Sequence, residues 1–121
     1  MTIKTVKAGG VGIAIVTSGE ICLFNAQTAL DFMMSVQSET GCNRIVLSKE
    51  TLIEDFFVLS TKVAGDILQK FVNYGFKLAV VGDFSGYASR PLKDFIYESN
   101  QGRDIFFVSS KEEAVQRLSR A

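Results

Sequence analysis

The feature that most constrains the fold is the apolar run Lys77–Val81, which lies between Gly75 and Gly82. The run is too short for a buried helix, and a helical pattern over about 61–74 comes directly before it. A short apolar run that follows an amphipathic helix is typical of a central strand in a parallel sheet. The stretch 56–89 is therefore predicted to be the middle of a small α/β sheet.

Two other apolar segments flank this central strand in the chain. Arg44–Leu47 precedes it and Asp104–Val108 follows it, and helical patterns separate the three segments. A parallel strand pair needs a crossover connection, and nearly all such crossovers are right-handed. The three segments are therefore predicted to lie side by side and to point in the same direction, with helices packed on the sheet.

The N-terminal part of the chain predicts an antiparallel addition to this sheet. Residues 3–8 and 11–17 are apolar or alternating, and Gly9 and Gly10 between them tolerate the positive φ angles of a tight hairpin turn. The chain is predicted to be a single α/β domain over 1–121. Its mixed sheet is expected to have about five strands, an N-terminal hairpin plus three parallel strands, with four to five helices.

Polar side chains mark the predicted helix starts. Asn25 precedes the first helix, and Ser60 or Thr61 precedes the helix that leads into the central strand. Ser110 with Glu113 forms a capping box at the start of the last helix. Each of these side chains is expected to accept a hydrogen bond from a backbone N–H group of the first helical turn.

Gly65 lies inside the predicted helix over 61–74. A glycine in a helix costs about 1 kcal/mol relative to alanine, so helix preference does not explain it. Close packing of this helix against a neighbouring backbone is the expected reason for a glycine at this position.

Charge and residue usage exclude several classes of function. Thirteen basic residues balance thirteen acidic ones, so no net field draws the chain to nucleic acid or to an anionic membrane. No apolar segment reaches the ~18–20 residues of a membrane span. The sequence has no histidine, which removes triad hydrolases and histidine-based metal sites. We expect a cytoplasmic protein without metal or cofactor, in which Cys22 and Cys42 are unpaired thiols.

The candidate ligand site lies at the carboxyl ends of the predicted parallel strands, where open sheets bind ligands. The loops 48–50, 82–90 and 109–111 lie there. The middle loop is rich in glycine and hydroxyl residues and leads into a helix N-terminus, which favours an anion such as phosphate or carboxylate. The candidate binding residues in this loop are Asp83, Ser85, Tyr87, Ser89 and Arg90. The alternative is that Asp83 and Ser89 serve only as turn and cap residues.

Ser60 and Thr61 complete the candidate ligand site, because they lie at the start of another helix. Either hydroxyl is a candidate for phosphate binding or phosphorylation, and the alternative is a simple helix cap.

The carboxylates that lie close together in the sequence are Glu50, Glu54 and Asp55. These carboxylates offer an acid–base pair or a magnesium site, and a solvated helix face is the favoured alternative. No GxxxxGK[ST] or GxGxxG motif supports nucleotide binding.

Roughly the last two thirds of the chain resemble a known family. The segments that show the resemblance are Asp55–Thr61, Ala64–Phe71, Asn73-Tyr74, Val81–Phe84 and Asp94–Asn100. On these segments the chain is similar to an uncharacterised bacterial family, domain of unknown function 4180. That family has no established activity, so the resemblance implies no function and no site residues.

The order of predicted elements is also similar to that of STAS domains, the regulatory modules typified by anti-sigma-factor antagonists. Those regulators are phosphorylated on a hydroxyl residue in an Asp-Ser-Ser-Gly motif at a helix start. The corresponding residues here are Lys62-Val63-Ala64-Gly65, which keep the glycine and lose both serines. The resemblance implies a STAS-like fold and a non-catalytic interaction role, and it leaves the phosphorylation switch unsupported.

Two functions are open at this point. The first is a regulatory domain that binds a protein partner or a second copy of itself, which the missing catalytic residue types and the Phe and Met side chains on helices favour. The second is a small anionic ligand-binding protein or enzyme that uses the loop 83–90 together with Thr61. The residue types favour the first function, and therefore a protein that is not an enzyme.

Overall fold

The computed structural model describes residues 1–121 and contains one five-stranded sheet. Its strands are β1 (Thr2–Ala8), β2 (Val11–Thr17), β3 (Arg44–Ser48), β4 (Lys77–Val81) and β5 (Ile105–Val108). They lie in the order β1-β2-β3-β4-β5, with β1 antiparallel to β2 and all other neighbours parallel. The predicted mixed sheet, a hairpin followed by three parallel strands, is confirmed.

Four α-helices join or follow the strands. They are α1 (Ala26–Thr40), α2 (Val63–Asn73), α3 (Arg90–Gln101) and α4 (Lys111–Arg120). Short 3₁₀ turns at Lys49–Thr51, Glu54–Phe57 and Leu59–Thr61 connect β3 to α2. Because β2 to β5 follow one another without a reversal, right-handed crossovers place α1, α2 and α3 on the same face. The other face is covered by α4, which follows the last strand. No helix combines the length and the apolar character needed to cross a bilayer.

Side-chain alternation along the strands divides the core into two parts. On β3, Ile45 and Leu47 belong to the larger cluster of 23 buried residues, which also holds side chains of α1, α2 and α3. Val46 between them belongs to a cluster of seven that includes Ala114 and Leu118 of α4. Burial on both faces explains why the parallel strands are continuously apolar. The loops at the strand ends are thus held on a rigid scaffold.

The hairpin turn is anchored by α4. Gly9 and Gly10 have φ angles of 59° and 83°, the positive pair that a two-residue type I′ turn requires. Ala8 and Val11 are the paired residues that close the turn. A Cβ atom on Gly9 would lie 3.2 Å from the backbone oxygen of Ser119. The predicted hairpin is therefore confirmed, and its tip packs against the end of the last helix.

The predicted cap of α2 is confirmed in part, because the Thr61 hydroxyl accepts the N–H of Val63, the first residue of the helix, at 3.3 Å. Neither Ser60 nor Thr61 occupies the N-cap position, which is held by Lys62 in the left-handed region at φ 66°. The reason is that residues 59–61 form a 3₁₀ turn of their own, so the helix begins later than the hydroxyl signal indicates. By contrast, the cap at Asn25 is confirmed, because its side-chain oxygen accepts the Thr28 N–H at 2.9 Å.

Half of the predicted capping box of α4 is confirmed. The Ser110 side chain makes its expected bond, whereas the Glu113 side chain bonds to Ser109 instead of Ser110. The Ser110 hydroxyl accepts the Glu113 N–H at 3.1 Å, as predicted. The Glu113 carboxylate accepts hydrogen bonds from the N–H and hydroxyl groups of Ser109 at 3.2 and 3.3 Å, one residue before the cap. The carboxylate therefore ties the end of the loop after β5 to the helix.

The predicted role of Gly65 is also wrong. The residue is exposed, and a Cβ built at this position meets no atom within 4 Å outside the local helix. No neighbouring backbone packs against it, so the glycine contributes no tight contact. The two cysteines, in contrast, are free thiols as expected.

Candidate functional site

The loops after β3 and β4 meet at the carboxyl end of the sheet. Lys49, which follows β3, donates a hydrogen bond from Nζ to the backbone oxygen of Asp83 at 2.9 Å. The stem of Lys49 lies over Gly82, where a Cβ would come within 2.7 Å of Lys49 Cδ. A side chain at position 82 would therefore displace the Lys49 stem, which glycine leaves in place.

Asp83 and Ser85 form a closed turn in the loop after β4. One carboxylate oxygen of Asp83 accepts hydrogen bonds from the Ser85 hydroxyl at 2.6 Å and from the Ser85 N–H at 2.9 Å. The hydroxyl, then the N–H, and more weakly the charge of Lys49 lower the pKa of Asp83 below its ordinary value. These contacts stabilise the charged carboxylate and the turn together.

Tyr87 belongs to a packed aromatic cluster, which consists of Phe57, Phe84, Tyr87 and Phe107. The rings of Tyr87 and Phe57 stack with centroids 5.1 Å apart, and Phe84 meets Phe107 edge to face at 5.5 Å. Lys49 Nζ lies 4.9 Å from the centroid of Tyr87, within the range of a cation–π contact. Each aromatic pair contributes about 0.5–1.5 kcal/mol beyond its buried area. The aromatic cluster therefore holds the loop against the sheet.

Ser89 and Arg90 serve the start of α3. The Ser89 hydroxyl accepts the Leu92 N–H at 3.3 Å, which satisfies one of the free donors at this helix end. Arg90 Nε lies 3.3 Å from a carboxylate oxygen of Asp94, one helical turn later, and both side chains are exposed. An exposed pair at this spacing contributes only about 0.3–0.5 kcal/mol, so Arg90 is held weakly.

Ser60 and Thr61 lie in the 3₁₀ turn before α2. The Thr61 hydroxyl lies 2.7 and 2.8 Å from the backbone oxygens of Asp55 and Val58, which share its single hydrogen. It also accepts the Val63 N–H at 3.3 Å. Thr61 therefore stabilises the connection between the 3₁₀ turns and α2, while Ser60 is exposed.

A cleft of about 380 Å³ opens between the loops after β4 and β5. Its lining residues are Gly82, Asp83, Phe84, Phe107, Val108, Ser109 and Glu113. Asp83 alone among the predicted ligand residues lines this cleft. The two carboxylates in the lining, Asp83 and Glu113, make the cleft better suited to a cationic or hydroxyl-rich ligand than to an anion.

The structure brings some predicted residues together and separates others. Asp83, Ser85 and Tyr87 share one loop, in which Lys49 contacts Asp83 and Tyr87, whereas Thr61 bonds to the connection between β3 and α2. No group of three or more His, Cys, Asp or Glu side chains is placed to hold a metal ion. Sequence reasoning missed the contributions of Phe57 and Phe107 to this region. Their apolar patterns indicate burial, and only the fold shows that they pack under the loop.

Apolar side chains are exposed at the same end of the sheet. The segment 21–24 lies alongside 51–53 through a parallel bridge between Leu23 and Leu52, and the Cys22 N–H bonds to the Thr51 oxygen at 2.8 Å. Large side chains on these connections are left open to solvent: Ile21 is 43%, Phe24 45% and Val58 48% exposed. Contiguous patches of exposed apolar groups are typical of surfaces that bind other proteins, whereas single exposed groups are common on any protein.

Comparison with known proteins finds a matching family model and a similar solved structure. Residues 8–118 match the model of a family described as Domain of unknown function (DUF4180), which confirms the resemblance predicted from the sequence. The chain is also similar to a putative anti-sigma factor antagonist from Thermotoga maritima, with 18% identity and a TM-score of 0.48. That similarity covers 97% of this chain and 92% of the other. No curated protein matches.

Proposed function

We propose that this chain, which belongs to the DUF4180 family, is a non-catalytic regulatory module of the cytoplasm that binds a protein partner. The binding surface in this proposal is the carboxyl end of the sheet, formed by segments 21–24, 51–61 and 83–90. The two free thiols support a reducing compartment. The proposal goes beyond the family, whose function is unknown.

The exposure of Ile21, Phe24 and Val58 is the observation on which the proposal depends. All three lie on connections at one end of the sheet, and two of these connections are tied together by backbone hydrogen bonds. Burying an exposed side chain of this size contributes up to about 1.5–3 kcal/mol. These three side chains form the apolar centre of the proposed interface, with polar loop residues as its rim.

The polar groups of the same region support binding rather than catalysis. The hydroxyls of Thr61, Ser85 and Ser89 form hydrogen bonds within turns and helix caps. A nucleophile needs a base within hydrogen-bond reach, and the Asp83 carboxylate beside Ser85 is the only side-chain base among the partners of these hydroxyls. The carboxylate of Asp83 has a lowered pKa, which makes it a poor general base near neutral pH.

A two-residue variant tests the proposed surface. Phe24→Ser with Val58→Ser removes two exposed apolar side chains, and Tyr97→Ser on α3, which is 68% exposed, is the matched control. A partner captured by the unmodified chain is expected to bind Tyr97→Ser equally and the double variant at least about tenfold more weakly. Equal binding to all three chains would refute the surface, provided circular dichroism shows all of them folded.

The cleft next to Asp83 favours a second function, the binding of a small ligand. Its volume of about 380 Å³ falls in the range of small-molecule sites. A thermal-shift screen of phosphosugars, nucleotides, amines and polyols tests this function. A saturable shift that Asp83→Asn abolishes supports a cationic or polyol ligand, and one that Arg90→Ala abolishes supports the anion predicted from the sequence. No saturable shift with any of these compounds would count against the ligand function.

A further inference from the structure

The strand β1 forms an edge of the sheet whose outer side has no partner strand. We propose that this edge pairs antiparallel with β1 of a second copy of the chain, so that two five-stranded sheets join into one continuous sheet. This edge is separate from the protein-binding surface proposed above, at the strand carboxyl ends. The inference therefore stands or fails independently of that function.

The hairpin turn determines which backbone groups of β1 point outward. In a two-residue hairpin the closing residues, here Ala8 and Val11, exchange hydrogen bonds, and bonded and non-bonded pairs then alternate along the strands. Ile3, Thr5 and Lys7 are the non-bonded members, so their N–H and C=O groups face away from β2. A second strand in register with these residues would form about six hydrogen bonds.

The side chains of β1 select one register for such pairing. With Thr5 opposite its own copy, all seven residues of β1 are paired and Ile3 lies opposite the second copy's Lys7. Lys4 then lies opposite the second copy's Val6, so no lysine faces a lysine. A shift of the partner strand in one direction places Lys4 directly opposite Lys4 of the second copy. Like charges that face each other across two strands are destabilising. A shift in the other direction keeps the lysines apart and loses two of the seven pairs.

β1 is held in place on both faces, which makes its edge a fixed template. Ile3 packs against the larger core cluster and Ala8 against the smaller one. The Gly9 turn lies against the backbone of Ser119 in α4. An ordered edge of this kind does not need to be folded before it pairs, which reduces the entropic cost of association.

The expected dimer is weak and reversible. Pairing of one strand from each copy buries a small interface, and interfaces below about 1,200 Å² are typical of transient complexes. The lysines of an edge strand also limit pairing with unrelated strands. Association is therefore expected to depend on protein concentration.

Sedimentation of the full chain from about 10 µM to about 1 mM tests the proposal. The unmodified chain is expected to shift from monomer to dimer across this range. Val6→Glu places a carboxylate opposite Lys4 in each half of the dimer, whereas Val6→Lys places a like charge there. The first variant is expected to associate about tenfold or more tightly than the second. Val72→Glu and Val72→Lys on α2 make the same charge changes on an exposed residue away from the edge, and are expected to associate equally.

Two results would overturn the proposal: a monomer at every concentration, or equal association of the two Val6 variants. If either Val6 variant fails to fold, Thr5→Lys is tested in place of the two Val6 variants, because Thr5 is exposed and lies at the centre of the register. Thr5→Lys opposes two lysines across the symmetry axis and is expected to weaken the dimer. A Thr5→Lys chain that associates as tightly as the unmodified one would refute the pairing.

Discussion

The two edge strands of the sheet differ in whether their outward-facing backbone groups have hydrogen-bond partners. At β5, the side-chain amide of Asn100 in α3 takes the place of a neighbouring strand: it accepts the Phe107 N–H at 2.7 Å and donates to the Phe107 oxygen at 3.1 Å. At the other edge, β1 has seven residues and no neighbour on its outer side. At one edge the chain itself pairs the outward groups of Phe107, and the other edge is open to another chain.

The difference follows from the order of elements along the chain. α3 leads directly into β5, so its last turn lies beside the strand and can supply a side chain to the edge. β1 begins the sheet and is connected only through the hairpin, so no helix reaches its outer side. Proteins usually protect exposed edges with charges or bulges. Here Lys4 and Lys7 are the charged residues of the open edge, and they also restrict the register in which it can pair.

Asn100→Ala is the substitution with the largest expected effect on this comparison. It removes both hydrogen bonds to Phe107, whose backbone groups lie in a buried strand. Leaving a buried donor and acceptor unsatisfied costs about 2–4 kcal/mol in the free energy of unfolding. Urea denaturation monitored by circular dichroism measures this decrease in the free energy of unfolding. The control Gln101→Ala, an exposed neighbour in the same helix, is expected to change it by less than about 0.5 kcal/mol. Equal effects would mean that Asn100 does not close the edge.

Gly10→Ala tests how the open edge is held, and its expected effect is intermediate. The φ angle of Gly10 is 83°, a conformation that costs an alanine roughly 1–2 kcal/mol, although no atom lies within 4 Å of the new Cβ. The free energy of unfolding should fall by about that amount in urea. Faster hydrogen exchange along β1 and β2 than along β5 is expected to accompany the loss. A uniform change over the sheet would contradict separate control of the two edges.

The same substitution at Gly65 should have the opposite sign. Gly65 is exposed in α2 with no close neighbour, so alanine lowers the entropy of the unfolded chain without a clash. The expected gain is about 0.4–1 kcal/mol in the free energy of unfolding. Hydrogen exchange at β1 and β5 should not change relative to each other. A loss of stability would show that a contact at Gly65 matters after all.

Ser85→Ala is expected to have the smallest effect, confined to the loop after β4. Removing the hydroxyl raises the pKa of Asp83, because its strongest hydrogen bond is lost. A carboxyl whose folded pKa is lowered stabilises the fold above its unfolded pKa, and this contribution disappears as the pH falls through the folded pKa. The unmodified chain should therefore lose more stability on acidification than Ser85→Ala. Carbon-13 NMR titration of Asp83 measures the pKa, and an unchanged value would refute the bond.

Much of the architecture is predictable from the sequence. The apolar runs at 44–47, 77–81 and 104–108, together with the paired glycines at 9 and 10, are enough to predict the mixed sheet and the relative directions of its strands. The start of α2 is not predictable in the same way, because the 3₁₀ turn before it depends on bonds from Thr61 to Asp55 and Val58. Residue type indicates a cap there, and the hydrogen bonds within the preceding connection decide where the helix begins.

The candidate site is less predictable than the fold. Asp83 and Ser85 are adjacent in the chain, so their turn can be inferred from residue types. The contact of Lys49 with Gly82 and Tyr87 joins residues more than thirty positions apart, and no local pattern indicates it. No local pattern indicates the role of Asn100 either. Asparagine is common at helix ends, and only the fold shows that this side-chain amide pairs with Phe107 of β5.

Hydrogen exchange measured by NMR at two protein concentrations tests the difference between the edges most directly. In dilute solution the amides of Ile3, Thr5 and Lys7 are expected to exchange fast, while the amide of Phe107 is protected by Asn100. At high concentration the three β1 amides should gain protection of about tenfold or more, with Phe107 unchanged. Fast exchange of the β1 amides at both concentrations would show that the open edge does not pair, and fast exchange at Phe107 would show that the other edge is not closed.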